Sequence, residues 1–230
     1  MDQNSIYDIQ TTQVMQRVLT PDSNCIDIGC HKGVFLDEIL KLSPTGAHFG
    51  FEPIPELYEA LVIKYEKYSN VRIRYTALSD VSGKLPFKHV VSNPGFSGLK
   101  ERQYSRIENI KEISVQAALL DESIPDNLKI SFIKIDVEGA ELQVMRGAIK
   151  TLIRCQPVVV FEHGIGAADY YKTEPEMVFD LLQNCDLHCF TMEQWLTSSG
   201  ERNLSRIEFA DQFRSGRNFY FMAAPKRLHN

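Results

Sequence analysis

A chain of 230 residues, 43% hydrophobic and 24% charged, suits one large α/β domain with a substantial core. Its net charge of −5 argues against a general nucleic-acid binder, which carries a basic balance or stripe. No apolar run approaches the roughly 18–20 residues that span a bilayer, and the opening residues lack the basic and apolar regions of a signal peptide. A cytoplasmic protein with no membrane span is expected.

Residues 5–19 place Ile6, Ile9, Val14 and Val18 among polar neighbours, an N-terminal helix within 1–22 that Pro21 closes. A short strand over 24–28 leads through a glycine turn into a helix over 33–42, then a strand over 48–52. Pro55 opens a helix through about Tyr68, because proline in the first turn sacrifices no hydrogen bond. Strand 71–77 follows from its period-two alternation. The middle, 79–128, is less regular. Ser82-Gly83-Lys84 reads as a hairpin turn into Leu85–Val91, and Ser92–Gly98 has the chemistry of an exposed loop. The irregular loop 92–112 reads either as a plain surface connection or as a lid on the substrate side.

Regularity returns with a strand over 130–136 and a helix over 139–154 that sets Leu142, Met145, Ile149 and Leu152 on one face. The continuous apolar run 157–161 is a strand covered on both faces. A helix over 174–184 and strands over 187–192 and 218–224 complete the chain. The rhythm predicts one domain over 1–230 with a mostly parallel seven-stranded sheet and helices on both faces. Five cysteines, at 25, 30, 155, 185 and 189, follow no zinc spacing, and most of them read as buried reduced thiols.

Ligands of such sheets bind beyond the carboxyl ends of the strands, which should gather Asp27, Glu52, Asp136 and Glu162 on one rim. Gly29 and Gly33 let the first turn tighten and let a ligand approach the backbone. Glu52 follows Gly33 by 19 residues, close to the spacing that brings an acid onto ribose hydroxyls. The plainer readings are a helix cap for Asp27 and a solvated strand end for Glu52. The turn Gly29-Cys-His-Lys-Gly33 lacks the Gly-x-Gly of a pyrophosphate site, and no nucleoside-triphosphate loop is present. A nucleoside with an amino-acid tail fits better, which points to S-adenosylmethionine.

Here the motifs become specific. Residues 26–33 (Ile-Asp-Ile-Gly-Cys-His-Lys-Gly) resemble the first motif of class I methyltransferases. Phe51-Glu-Pro-Ile-Pro55, Thr76-Ala-Leu-Ser-Asp80 and the run Phe132-Ile-Lys-Ile-Asp-Val-Glu-Gly-Ala-Glu141, with Gly147-Ala148, resemble the FkbM family of those enzymes. Cys30-His31-Lys32 departs from the family, which more often has a small residue followed by Asn. The resemblance implies a Rossmann-like class I methyltransferase fold with S-adenosyl-L-methionine as cofactor. It implies that Asp27, Gly29 and Gly33 line the methionine and ribose portions and that Glu52 holds the ribose, with Pro53 shaping the strand exit. Ala77, Leu78 and Ser79 would then lie near the adenine, and Asp136 and Glu138 would border the methyl donor and the acceptor pocket.

Methyl transfer to oxygen requires an aligned acceptor and a group to take its proton. His163 is the leading candidate for that base, with Asp136 and Glu162 orienting it or holding the acceptor; the alternative is a solvated His163 opening the next loop. Lys134 reads as a buried partner of a rim acid or as a substrate contact. Asp136 and Glu162, with His163 or Glu138, offer too few assured ligands for a cation, and no metal is assigned. The expected function is O-methylation of a sugar, glycan or secondary-metabolite hydroxyl, the partner being a small-molecule or glycan acceptor and not a nucleic acid. The alternatives are a methyltransferase for RNA or protein and a non-catalytic cofactor-binding protein. Tyr170, Tyr171 and Phe96 either stack on a sugar face or simply pack.

Overall fold

The computed structural model describes residues 2–198 and 200–226; of the expected domain 1–230, Met1, Ser199 and residues 227–230 lie outside the described residues. Helix α1 (Gln3–Val18) is capped by Asp2, whose carboxylate accepts from the Ser5 amide. It buries Tyr7, Thr11, Val14 and Met15, while Ile9 is 45% exposed, so the buried stripe runs through Tyr7 and Thr11 and not through the isoleucines that the sequence suggested. The regular core then alternates: β1 (Asn24–Ile28), α2 (Val34–Leu42), β2 (His48–Phe51), α3 (Pro55–Tyr65) and β3 (Val71–Arg74).

The middle segment forms a second sheet that the sequence reading did not foresee. Strands β4 (Ala77–Leu78), β5 (Gly83–Val90) and β6 (Ile110–Ala118) are ordered β4-β6-β5. Strands β5 and β6 pair antiparallel from Gly83↔Ala117 to Val90↔Ile110. The partner of β6 lies on the far side of a long loop.

Short α4 (Leu120–Ser123) leads into β7 (Ile130–Ile135), α5 (Glu141–Arg146), α6 (Ile149–Cys155) and β8 (Val158–Glu162). The helix expected over 139–154 is therefore two. A Cβ on Gly147 would sit 2.1 Å from the Ser79 carbonyl oxygen, so the chain presses backbone against backbone there. Asp121 restarts the helix by accepting from the amides of Lys150 and Thr151. The chain continues as α7 (Pro175–Asn184), β9 (His188–Phe190), α8 (Met192–Ser198), α9 (Arg206–Arg214) and β10 (Tyr220–Ala224). Of these, α8 and α9 were not anticipated.

The main sheet runs β3-β2-β1-β7-β8-β10-β9. Its first five strands are parallel, and β10 enters antiparallel between β8 and β9. Side chains alternate across it. Ile26, Ile28, Ile133, Ile135 and Phe161 pack with α5, α7 and α9, while Cys25, Phe132, Val158 and Val160 pack with α1, α2, α3 and α8. This is the doubly wound, mostly parallel seven-stranded sheet expected, and it collects the ends of β1, β2, β7 and β8 on one rim. All five cysteines are buried and free.

Candidate active site

The rim begins where β1 ends. Gly29 has φ +74°, and a Cβ there would lie 1.9 Å from the carbonyl oxygen of Asp136. Only glycine allows the turn to pass this close to β7. The amides of Gly29 and Cys30 both donate to the Phe51 carbonyl, at 3.0 and 3.1 Å. The next amide, of His31, donates to Glu52 Oε2 at 2.8 Å, and the Ile54 amide donates to Oε1 at 2.9 Å. Backbone on both flanks thus aims the Glu52 carboxyl, and burial pushes it up to about 7 against those two N–H donors.

Beside it opens a cleft lined by Gly29, His31, Glu52, Pro53, Ala77, Leu78, Asp136 and Glu138. Ile28, Phe51, Ile54 and Phe87 supply apolar wall. His31 and Glu138, both lining residues, have positive φ of 48° and 58°, backbone geometry that non-glycine residues adopt only where the surroundings impose it.

Three of the expected cofactor residues do not line the cleft. Gly33, with φ +73°, would place a Cβ 2.4 Å from the Tyr65 hydroxyl oxygen, and that hydroxyl donates to the Gly33 carbonyl at 2.8 Å. Its glycine is demanded by packing against α3, not by ligand approach. Asp27 is 1% exposed, within β1; burial pushes its carboxyl up to about 6 against the pull of Lys134. Ser79 is buried and donates its amide to the Ala118 carbonyl, as part of the small sheet's edge.

The other end of the cleft is acidic. Asp136, Glu138 and Glu162 bring one carboxylate oxygen each within 4.8 Å of one another. Lys134 Nζ donates to Asp136 Oδ2 at 3.0 Å and the Tyr220 hydroxyl donates to the same oxygen at 2.7 Å. Burial opposes ionisation of Asp136, yet Lys134 and Tyr220 prevail and hold it below the usual aspartate range. Burial and the neighbouring Asp136 push Glu162 far above the usual carboxyl range. Burial and Asp136 push Glu138 up to about 8 against Arg102, whose guanidinium pairs with it at 2.5 Å.

Arg102 comes from the loop between β5 and β6, flanked by the rings of Phe96 and Tyr104 at 4.8 and 5.9 Å. The amides of Lys100 and Gln103 donate to the hydroxyl oxygens of Tyr171 and Tyr170 at 2.9 Å each. The same loop contributes Pro94, Gly95, Ser97 and Leu99 to the cleft wall. Tyr170, Tyr171 and Phe96 therefore brace this loop.

His163 is misplaced in the sequence reading. It directly follows Glu162, and the pleat sends adjacent residues to opposite faces. Glu162 meets the rim acids, while the His163 ring stacks on Phe213 and Phe209 of α9 at 4.6 and 6.1 Å. It is fully buried, with no partner for either ring nitrogen among the described residues, and burial drives it down to about 3. It neither faces the cleft nor accepts a proton near neutral pH. The sequence reading missed Arg102 and Tyr220, which carry no motif and join the rim only through the fold.

The strand order, the glycine turn and the acid ending β2 define a Rossmann-like domain of the class I methyltransferase type. The family described as Methyltransferase FkbM domain matches residues 27–188, and the chain belongs to that family. A curated relative, 2-O-methyltransferase NoeI of Sinorhizobium fredii, is 30% identical over 158 residues, covering 62% of this chain and 64% of its own length. Methyltransferase sdnD of Sordaria araneosa is 27% identical over 152 residues, covering 53% and 59%. The chain thus spans about three fifths of the length of these relatives. The crystal structure of Methyltransferase FkbM from Methylobacillus flagellatus superposes with a TM-score of 0.53 at 14% identity, covering 74% of this chain and 40% of that one, a likeness of fold.

Proposed function

We propose that the domain transfers a methyl group from S-adenosylmethionine to a hydroxyl of a sugar, glycan or secondary metabolite. The observation that carries this reading is the Glu52 carboxyl, aimed by the amides of His31 and Ile54 into a cleft that has no pyrophosphate turn. The residues present fit the cofactor: Glu52 for the ribose hydroxyls, Ala77, Leu78 and Phe87 for the adenine, and the Gly29 turn for the amino-acid tail. Bound there, S-adenosylmethionine supplies an electrophilic methyl on a sulfonium.

The chain's own part is to hold the acceptor. Asp136 is the ionised carboxylate at the cleft and accepts the hydroxyl hydrogen, aligning the oxygen for an in-line displacement. Glu162 flanks Asp136 from β8. The carboxyl oxygens gathered at this end of the cleft are hydrogen-bond acceptors that suit a hydroxyl-bearing acceptor. The similarity to a 2-O-methyltransferase supports transfer to oxygen. Five free buried cysteines fit a reducing, cytoplasmic compartment, and among the described residues no helix is long and apolar enough to cross a membrane.

The test is calorimetric binding of S-adenosylmethionine, followed by a screen of sugar acceptors with labelled methyl donor. Saturable binding and label on an acceptor oxygen are expected. No binding by the wild-type protein would defeat the cofactor assignment; label on nitrogen or carbon would defeat the acceptor class.

A further inference from the structure

Asp136 is surrounded mostly by acids. Asp27 faces it from β1, Glu138 from the turn after β7, Glu162 from β8, Glu141 from α5 and Asp8 from α1. His31 reaches toward it from the glycine turn, held below the usual histidine range mainly by burial. Against these stand Lys134, on the strand that carries Asp136, and Tyr220, whose hydroxyl donates to Oδ2 at 2.7 Å. Both donors use Oδ2, which leaves Oδ1 free of a bond from Lys134 or Tyr220. A carboxylate with one oxygen tethered twice and the other open is an oriented acceptor.

Tyr220 is itself held in place. Its ring stacks on Tyr7 of α1, with centroids 5.4 Å apart at 30°. Tyr7 donates its hydroxyl to Asn218 at 3.2 Å and accepts from the Phe219 amide at 3.4 Å. Tyr220 is also the cross-strand partner of Glu162. Tyr7 and Tyr220 both lie outside the 27–188 segment matched by the family, so these contacts belong to parts of this chain that the match does not reach.

We propose that Tyr220 is a positioning residue of the transfer site. Its hydroxyl, braced by Tyr7, fixes the ionised Asp136 so that the free oxygen meets the acceptor. The proposal rests on the methyl-transfer reading of the cleft, and its test separates the two.

The experiment is the carbon-13 NMR titration of the Asp136 carboxyl, assigned by its loss in Asp136→Asn, in wild type and in Tyr220→Phe. Removing one of two donors to a carboxylate raises its pKa by about one unit. With an acceptor in hand, kcat should fall about tenfold and the acid limb of its pH profile should move to higher pH, while the affinity for S-adenosylmethionine stays unchanged. Tyr7→Phe, which removes a hydroxyl that bonds Asn218 and Phe219, should leave the titration where it is. Linkage also requires the reciprocal effect: Asp136→Asn removes the anion that suppresses ionisation of the Tyr220 phenol, whose titration should then shift to lower pH. An Asp136 titration identical in wild type and Tyr220→Phe, or a Tyr220 titration indifferent to Asp136→Asn, overturns the proposal whatever the activity. A wild type that binds no S-adenosylmethionine defeats the methyl-transfer reading while the carboxyl titration still decides the role of Tyr220.

Discussion

The two ends of the cleft are built in different ways. The Glu52 end is held by main chain: two amides aim its carboxyl, and a glycine passes a carbonyl at a distance that no side chain tolerates. The Asp136 end is held by side chains drawn from β7, β8, β10 and the loop after β5. Backbone geometry is set by a single βαβ unit and is insensitive to most substitutions. A cage of side chains can be retuned one residue at a time.

Gly29→Ala should break the main-chain end most severely. The new Cβ meets backbone and not a movable side chain, so a loss of about 3 kcal/mol or more is expected from chemical denaturation; a near-normal midpoint would show that the turn can relax. Glu52→Ala should weaken binding of S-adenosylmethionine by about 10- to 100-fold in calorimetry, and unchanged affinity would remove Glu52 from the ribose.

At the side-chain end, Arg102→Ala frees Glu138 and the loop over it. The acceptor KM should rise about tenfold, and protease should cut the loop faster, with donor affinity within about twofold. Equal losses for donor and acceptor would erase the distinction between the two ends. A pH series tests the buried acids. Burial raises Glu52, Glu138 and Glu141 to about 7, 8 and 7. A raised carboxyl stabilises the fold fully below its unfolded value of 4.5, and that contribution is lost as pH climbs through 7 to 8. The thermal midpoint of the ligand-free protein should therefore fall from about pH 5 to about pH 8, with Glu141→Gln flattening the slope. A midpoint that rises across this window would mean that the acids are already ionised. The smallest effect is expected of His163→Phe. It replaces an unpartnered buried ring by an apolar one, so stability should hold or improve and turnover should change by less than about twofold.

The main-chain end was legible in the sequence because its parts lie within one βαβ unit. Gly29 and Glu52 could be placed on the rim from the turn and its spacing, as could the strands that carry them, while Pro53 came only with the family resemblance. Gly33 shows where such reading stops: sequence reveals that a glycine is required but not whether a ligand or Tyr65 requires it. The strand before His163 was legible too, yet the face on which each residue falls depends on where the pleat ends, and an error of one position moved a base into the aromatic core. Arg102 and Tyr220 are far from Asp136 in sequence and follow no period. Strand β6 escaped because its partner lies across a loop, and Gly147 divided a helix because Ser79, far upstream, occupies the space beside it.

The antiparallel entry of β10 has a temporal meaning. Strands β1, β2, β7 and β8 can assemble as the chain emerges, and with them the glycine turn and the Glu52 wall. The second tether on Asp136 arrives only when Tyr220 slides in beside Glu162. Under the proposed reading, a sheet without β10 keeps the Glu52 wall but lacks the second tether on Asp136, so the seating of this one strand completes the transfer site.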